Sequence, residues 1–498
     1  MMNEHGKSDS CVVSAKLPNK GLKITQILRP TEAMEKRQLA KGNLQEQNIH
    51  RIQRRERVQS ALERIRAAAV KNKGQKFTAL MHHIYSVDML EEAFYSLKRN
   101  VETGTDGVTW GQYAENLREN LEGLAQRVKR GAYRAKPVKR SYIPKADGKQ
   151  RPLGVLVVED KIVQYAATLV LNAVYETDFL GFSYGYRPGR SQHNCLDALY
   201  VALQTKKVNY VLDADIQGFF DTINHDWLIK FIEHRIGDKR VVRLIRKWLN
   251  AGVLEDGKWH SREEGTIQGG VISPLLSNIF LHYAFDLWIQ QWRTKSKGGD
   301  IIVVRWADDF VVGFQNLGVA KQFLTELQAR FQKFSLRLHP EKTRLIEFGP
   351  FAINNRIKRG LGRPESFNFL GFTHIVGKKQ SNGMFVVIRK SNKKRLRAKL
   401  QEVKVELRKR MHDPIPKVGG WLRSVVGGYN RYFGVPTNQN SLYAFRFQIG
   451  RYWHHTLKRR GQKKSTLTWE RMVRLIDRWL PKPEIHHPYP LRRMGVIT

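Results

Sequence analysis

Asp308 and Asp309 stand together between two short runs of β-branched and aromatic residues, 301–306 and 310–314. The pattern predicts two strands of a tight hairpin with the acidic pair at its turn. Alone, an Asp-Asp step is also ordinary chemistry for a solvated turn. A second acidic strand end shifts that balance. Residues 209–216 read as a strand in which Val211, Asp213 and Asp215 share one face, and Asp215 comes just before Gly218-Phe219-Phe220. Asp215, Asp308 and Asp309 supply the hard oxygens that suit Mg²⁺, which takes a few carboxylates and fills its shell with phosphates and water. Two such ions about 4 Å apart make a 3′-hydroxyl acidic enough to attack an α-phosphorus and neutralise the departing pyrophosphate. Asp213 is ambiguous, and Asp221 and Asp226 read as loop or helix-cap residues. Zinc chemistry and nucleotide hydrolysis have no motif support. The chain holds no HExxH, no paired cysteines and no Gly-x-x-x-x-Gly-Lys-Ser/Thr loop.

The elements that must position these groups follow from the pattern along the chain. Residues 138–158 predict a hairpin turning at Asp147-Gly148, with Lys145, Lys149 and Arg151 about its tip. Three cations there suit a triphosphate, and a solvated turn equally well. A buried helix is expected over 160–176, then an aromatic and basic loop from Phe182 to Ser191 able to stack bases and touch phosphates, then a helix to about 205. Gly269 and Gly270 allow close backbone approach to a ligand ahead of an apolar helix reaching Leu287. Beyond the acidic hairpin come a helix to about 334, a turn over 338–343 into a strand, and a short aromatic strand over 367–372.

Charge defines what the chain must meet. Its 498 residues include 87 Lys and Arg against 45 Asp and Glu, a net charge of +42. A compact body with that self-repulsion calls for a polyanionic partner, nucleic acid first. No apolar run approaches the ~20 residues of a membrane span, and no signal-peptide segment follows Met1. Cys11 and Cys195 are the two cysteines, so a reducing, cytoplasmic setting fits. Residues 1–35 read as disordered. Residues 36–75 are helix-prone and one-sidedly basic, offering Arg51, Arg54, Arg55, Arg57, Arg64 and Arg66 to RNA phosphates. Helical apolar spacing continues over 77–103, up to the turn at Gly104-Thr105-Asp106-Gly107. After about 380 the character changes. Leu396, Leu400, Val403 and Leu407 make one apolar helix face, while nine Lys or Arg crowd 391–410. Over 419–453 aromatics alternate with arginines, as in an aromatic core with a cationic rim or a nucleic-acid surface.

Six blocks in order make the chain resemble the reverse transcriptases encoded by bacterial and organellar group II introns. They are Ile143-Pro144-Lys145 with Arg151-Pro152-Leu153-Gly154, then Gly185-Tyr186-Arg187-Pro188-Gly189-Arg190-Ser191, then Asp215 with Phe220. Gln268-Gly269-Gly270-Val271-Ile272-Ser273-Pro274, Ala307-Asp308-Asp309 and Phe369-Leu370-Gly371-Phe372 complete the set. The resemblance implies an α+β, right-hand polymerase. Fingers and an antiparallel palm sheet would occupy 76–375, and a helical thumb and maturase (X) domain 376–465. A basic, partly disordered extension would precede them over 1–75, and a basic segment suited to DNA would follow over 466–498.

The same resemblance implies that Asp215, Asp308, Asp309 and the Ile216 carbonyl hold two Mg²⁺ ions. It implies Lys145 and Arg151 on the triphosphate of the incoming dNTP, and Phe220 as the gate against a ribose 2′-hydroxyl. Gln268 and Gly269 would line the nucleotide pocket, Lys342 falls where this class places a proton donor for pyrophosphate, and Phe369-Leu370-Gly371 resembles the primer grip. Trp306 stands where the family usually has Tyr, which implies altered fidelity or speed rather than loss. No cysteine- and histidine-bearing endonuclease is expected, so second-strand cleavage would come from elsewhere, such as a replication fork. The implied partners are group II intron RNA, a target DNA primer and dNTPs, in a cytoplasmic, nucleoid-associated ribonucleoprotein without membrane; a homodimer is compatible. The implied activity is RNA-directed DNA polymerisation with maturase function. The alternatives are an RNA-binding maturase without polymerase activity and a domesticated reverse transcriptase in phage defence.

Overall fold

The computed structural model describes residues 38–144, 150–255, 258–261, 264–460 and 467–493. Its first element is a long helix, α1 (Gln38–Lys71), followed by α2 (Met81–Ile84) and α3 (Val87–Ser96), so the helical spacing over 77–103 is split in two. Val58, Ile65 and Ala69 of α1 are buried in one core with Met89, Leu90 and Ala93 of α3. Two arginines of α1 fasten that contact, and one of them, Arg54, is withdrawn from RNA phosphates by burial. Arg54 is buried and pairs with Glu91 and Glu92, and Arg57 Nε donates to Asp88 at 2.8 Å. Short helices α4 (Trp110–Glu115) and α5 (Leu117–Lys129) lead to the expected hairpin, β1 (Val138–Pro144) with β2 (Gln150–Val155). Its tip, with Lys145 and Lys149, lies outside the described residues.

Two buried helices follow close to their expected bounds, α6 (Val158–Tyr175) and α7 (Gln192–Thr205). Next come β3 (Tyr210–Ala214), α8 (Phe219–Thr222), α9 (His225–Arg235), α10 (Lys239–Leu249), β4 (Val253–Glu255) and β5 (Lys258–His260). The helix expected to reach Leu287 is α11 (Ser273–Leu281), but a π-helical turn (His282–Asp286) separates it from α12 (Leu287–Lys295). The acidic hairpin is β6 (Ile301–Trp306) and β7 (Asp309–Phe314), followed by α13 (Leu317–Lys333) and β8 (Arg344–Glu347). Strands β6, β7, β3 and β8 form one antiparallel sheet in that order.

Both faces of this sheet are covered, which is why its strands read as nearly unbroken apolar runs rather than alternating ones. Val303, Phe310, Val312, Phe314, Leu212 and Ala214 join the larger core with α6, α11 and α13. Ile302, Val304, Val311 and Val211 face the other way, onto α7. That second core also receives a three-stranded sheet of β9 (Phe367–Phe369), β10 (Phe372–Lys378) and β11 (Phe385–Ser391) beyond helix α14 (Ala352–Lys358). Helices α15 (Lys393–Lys409), α16 (Ile415–Phe433), α17 (Gln439–Lys458) and α18 (Trp469–Trp479) share a third core, and α19 (Pro490–Arg493) ends the described chain. Val403 and Leu407 are buried there, with Leu396 and Leu400 half-buried on the same face. Tyr429, Phe445 and Trp453 are interior too, so the aromatic core reading holds for these residues. Among the described residues no helix is long and apolar enough to cross a membrane.

One buried ion pair ties the three-stranded sheet to α7. Arg389 of β11 donates to Asp197 of α7 at 3.0 Å and lies over the Tyr200 ring, and both charges are shielded from water. Removing one partner strands the other charge, so Asp197→Ala is expected to cost about 3–5 kcal/mol. Asp197→Asn, which keeps an acceptor for Arg389, should cost less; urea unfolding of the two variants beside wild type checks the order.

Candidate active site

Trp306 pairs with Asp309, leaving Ala307-Asp308 as a two-residue hairpin turn. Ala307 takes a φ of 55°, the left-handed conformation that such turns require and that a residue with a Cβ adopts at a cost. The turn is held from behind. Gly185 packs so closely that a Cβ there would lie 2.3 Å from the Ala307 nitrogen. On the next strand Ala214 faces Phe310, and Asp215, just past the strand's end, comes within side-chain hydrogen-bond reach of Asp309. Asp215, Asp308, Asp309 and Ile216 line one cleft of about 630 Å³.

The hairpin's alignment rests on Arg305. Its side chain is fully buried, on the sheet face opposite Asp309. Nε and Nη2 donate to Asp286 at 2.8 and 2.5 Å, Nη2 also to Ser183 Oγ at 2.7 Å, and Nη1 to Asn278 Oδ1 and the Ala307 carbonyl at 3.1 and 2.9 Å. All five guanidinium N–H groups therefore have acceptors. Asp286 ends the π-helical turn, a distortion that often marks functional sites in helices. Asn278 also donates to the Gly185 carbonyl at 2.7 Å, which closes the loop behind the turn. The expectation of phosphate contact from this loop needs correction at Arg187. It is buried, pairing with Glu176 and donating to the Leu180 and Ser183 carbonyls at 2.8 and 2.7 Å. Tyr186, in contrast, lines the cleft.

The opposite wall of the cleft carries Arg151, Phe220, Gln268 and Gly269. Gly154 N donates to the Gln268 carbonyl at 2.6 Å, and a Cβ on Gly269, whose φ is 101°, would sit 2.7 Å from the Gly154 carbonyl. Only glycine allows this approach, and it joins the 265–272 loop to β2. Buried Gln164 of α6 accepts from Val271 and Ile272 nitrogens at 3.1 and 3.3 Å and fixes the loop's far end. Thr266 N donates to the Phe220 carbonyl at 2.6 Å. Lys342 Nζ lies 2.5 Å from Asp215 Oδ2. Lys145 lies outside the described residues. Of Phe369, Leu370 and Gly371, Leu370 reaches the cleft and Phe369 is buried. Leu370 and Gly371 have φ of 46° and 84°, making a second tight turn, and Tyr432 Oη of α16 donates to the Leu370 carbonyl at 2.8 Å. Tyr432 and Arg395 thus bring helices α15 and α16 to the cleft, which no local pattern announced. Asp213 stands apart from the cleft lining, 3.6 Å from Arg344.

Burial and neighbouring charge hold the Asp308, Asp309 and Asp213 carboxyls above the ordinary range. The protein around Asp309 strips water from it although part of its surface opens on the cleft, and Asp308 and Asp215 add charge, raising it to about 7. Burial first, then Asp215, raises Asp308, and burial raises Asp213 to about 6. Among the described residues no three His, Cys, Asp or Glu side chains form a ready-made cage for a metal. The donor set still fits Mg²⁺, which typically takes one or two carboxylates and completes its shell with substrate phosphates and water.

The fold around this cleft is of reverse transcriptase type. Residues 143–374 match the family model described as reverse transcriptase (RNA-dependent DNA polymerase). Protein YkfC of Escherichia coli is 38% identical over 293 residues, 52% of this chain and 77% of the relative. The group II intron-encoded protein LtrA of Lactococcus lactis is 35% identical over 235 residues, 47% of this chain. Nuclear intron maturase 3 of Arabidopsis thaliana is 28% identical over 139 residues, 28% of this chain and 19% of the relative. The match spans 39% of the length of LtrA. The chain belongs to the reverse transcriptase family, in the group II intron-encoded reverse transcriptase and maturase branch.

Two outcomes are expected of this geometry. Arg305→Met leaves Asp286 buried and unpaired and should cost about 3–5 kcal/mol. The double variant Arg305→Met, Asp286→Met removes both charges and should recover much of that loss in denaturant unfolding. Asp309, raised from about 4 to about 7, binds its proton more tightly folded than unfolded. Its contribution to stability therefore falls as pH rises from about 4 to 7 and stays low above that. Asp309→Asn should melt above wild type at pH 8, with a gap that narrows at pH 6 and again at pH 5.

Proposed function

We propose that this chain is an RNA-directed DNA polymerase that also serves as maturase for its group II intron RNA. The observation that carries the reading is Asp215 within side-chain hydrogen-bond reach of Asp309, beside Asp308, in a cleft shared with Arg151, Phe220 and Gln268. Residues 76–375 would be fingers and palm, 376–465 the thumb and maturase domain, with basic segments at 1–75 and 466–498. Asp215, Asp308, Asp309 and the Ile216 carbonyl would hold two Mg²⁺ ions. When bound, these ions supply Lewis acidity to the attacking 3′-hydroxyl and to the leaving group.

The chain's own residues do the rest. Arg151, with Lys145, neutralises and orients the triphosphate of the dNTP, the fork of Arg suiting its oxygens. Gln268 and Gly269 shape the nucleotide pocket. The Phe220 ring fills the space that a ribose 2′-hydroxyl would need. Lys342, already beside Asp215, is placed to hand a proton to pyrophosphate. Leu370, steadied by Tyr432, supports the primer end, and the Trp306 ring lies beneath it next to Asp309. Intron RNA is template and splicing partner, and a target DNA 3′ end is the primer.

Primer extension on an RNA template with Mg²⁺ tests the reading. Wild type should extend. Asp308→Ala with Asp309→Ala should lose about 10²-fold or more, since several kcal/mol of charge stabilisation are removed. Full extension by the double variant would remove the catalytic assignment, and RNA binding without extension by wild type would favour a maturase-only protein.

A further inference from the structure

Away from the catalytic cleft, α5 and α10 enclose a hollow of about 170 Å³ lined by Lys129, Arg130, Arg240, Arg243 and Lys247 and by no carboxylate. None of these residues lines the catalytic cleft. The hollow follows from the make-up of α10. Its sequence, KRVVRLIRKWL, has no acidic residue, buries Val241, Val242, Leu244, Ile245, Trp248 and Leu249, and leaves five cations on the other side. The α5 terminus presents Lys129 and Arg130 across from them. Two of the cations are anchored. Lys247 Nζ donates to the Gly131 and Tyr133 carbonyls at 3.0 and 2.6 Å, and Arg240 Nε donates to Asp238 at 3.0 Å. Lys129, Arg130 and Arg243 have exposed side chains.

Arg240 is already compensated by Asp238; the other four like charges, gathered from two helices, repel one another, and an anion seated between them offsets that cost. The concave shape suits a projecting phosphodiester better than a flat lipid surface. No large exposed apolar residue lies on α5 or α10 to enter a bilayer. We propose that this hollow is a second phosphate-binding site that grips the backbone of a structured RNA while another part of the same RNA occupies the catalytic cleft. The proposal rests on the reading above that the chain carries a folded RNA.

The test is a triple variant, Lys129→Gln, Arg130→Gln, Arg243→Gln, in the full chain, with a thermal melt to establish folding. Filter binding to a hairpin-rich RNA and to duplex DNA of equal length is measured across salt concentrations, beside sedimentation with phosphatidylserine vesicles. RNA affinity should fall about tenfold or more, and the slope of log affinity against log salt should become shallower by about two to three, near one per cation removed. Extension of a short RNA–DNA primer-template too small to reach α10 should stay at the wild-type level. Unchanged RNA affinity and slope would overturn the proposal, as would a loss confined to DNA or to vesicles. Failure of wild type to extend any primer would instead count against the polymerase reading, because the binding measurement does not depend on it.

Discussion

The site depends on one buried guanidinium. Arg305 sits in the middle of an apolar strand, where a charge without partners would be costly. Its five donors reach a helix, a loop and the hairpin turn that it precedes by two residues. The backbone of the same residue pairs with the loop as well, Arg305 N to the Phe182 carbonyl and Tyr184 N to the Arg305 carbonyl, both at 2.9 Å. Hydrophobic side chains at both Arg305 and Asp286 would fill the space and bury no charge. They would leave the Ala307 carbonyl and the Ser183 hydroxyl without this donor and the turn free to shift. The ion pair is thus better understood as fixing where Asp308 points than as adding net stability.

The turn needs that constraint because it is strained. Ala307 holds a left-handed conformation without being glycine, and the carboxyls beside it repel one another. Strain of about 1–3 kcal/mol persists only where the surroundings over-determine the backbone. Here they do so from behind through Gly185 and Asn278, and from the side through β3. The hairpin at Leu370-Gly371 solves a similar problem differently. Its left-handed Leu370 is steadied by a tyrosine hydroxyl from α16, so helices with their own core bear directly on a turn of the second sheet.

These contrasts decide what could be read in the sequence. The acidic hairpin, the strand ending at Asp215 and the glycine loop were legible because each is local: apolar runs of strand length, cut by acids or glycines. Helices α6, α7 and α13 were legible from apolar spacing. The Arg305–Asp286 pair was not, because it needs a π-helical turn to bring Asp286 round, and that has no residue signature. A lone Arg in the run Ile301-Ile302-Val303-Val304-Arg305 was nevertheless a usable signal of a buried network. The approach of Tyr432 and Arg395 to the cleft was hidden for a different reason. It depends on how the third core docks, and apolar periodicity says which face is buried but not against what. Helix α10 was absent from the expected elements although Val241, Val242, Leu244, Ile245, Trp248 and Leu249 keep helical spacing.

The net charge of +42 is unevenly divided between interior and surface. Among the described residues the buried arginines are Arg54, Arg187, Arg235, Arg305 and Arg389, and each is paired with an acid. Those pairs take Glu91, Glu176, Asp178, Asp286 and Asp197 inside together with an equal number of arginines, which leaves the net surface charge as it was and its ratio of cations to anions higher. Asp215, Asp308 and Asp309 are withdrawn too, since they face into the cleft. The outer surface is therefore more one-sidedly cationic than the composition suggests. Surface repulsion of that kind acts over about 10 Å at 0.1 M salt, a span that covers several neighbouring side chains. An extended polyanion relieves it at many points at once, which a small ligand in the cleft cannot do. Of the interior arginines Arg305 holds the acidic turn, while Arg54 and Arg389 fasten helices and sheet elsewhere.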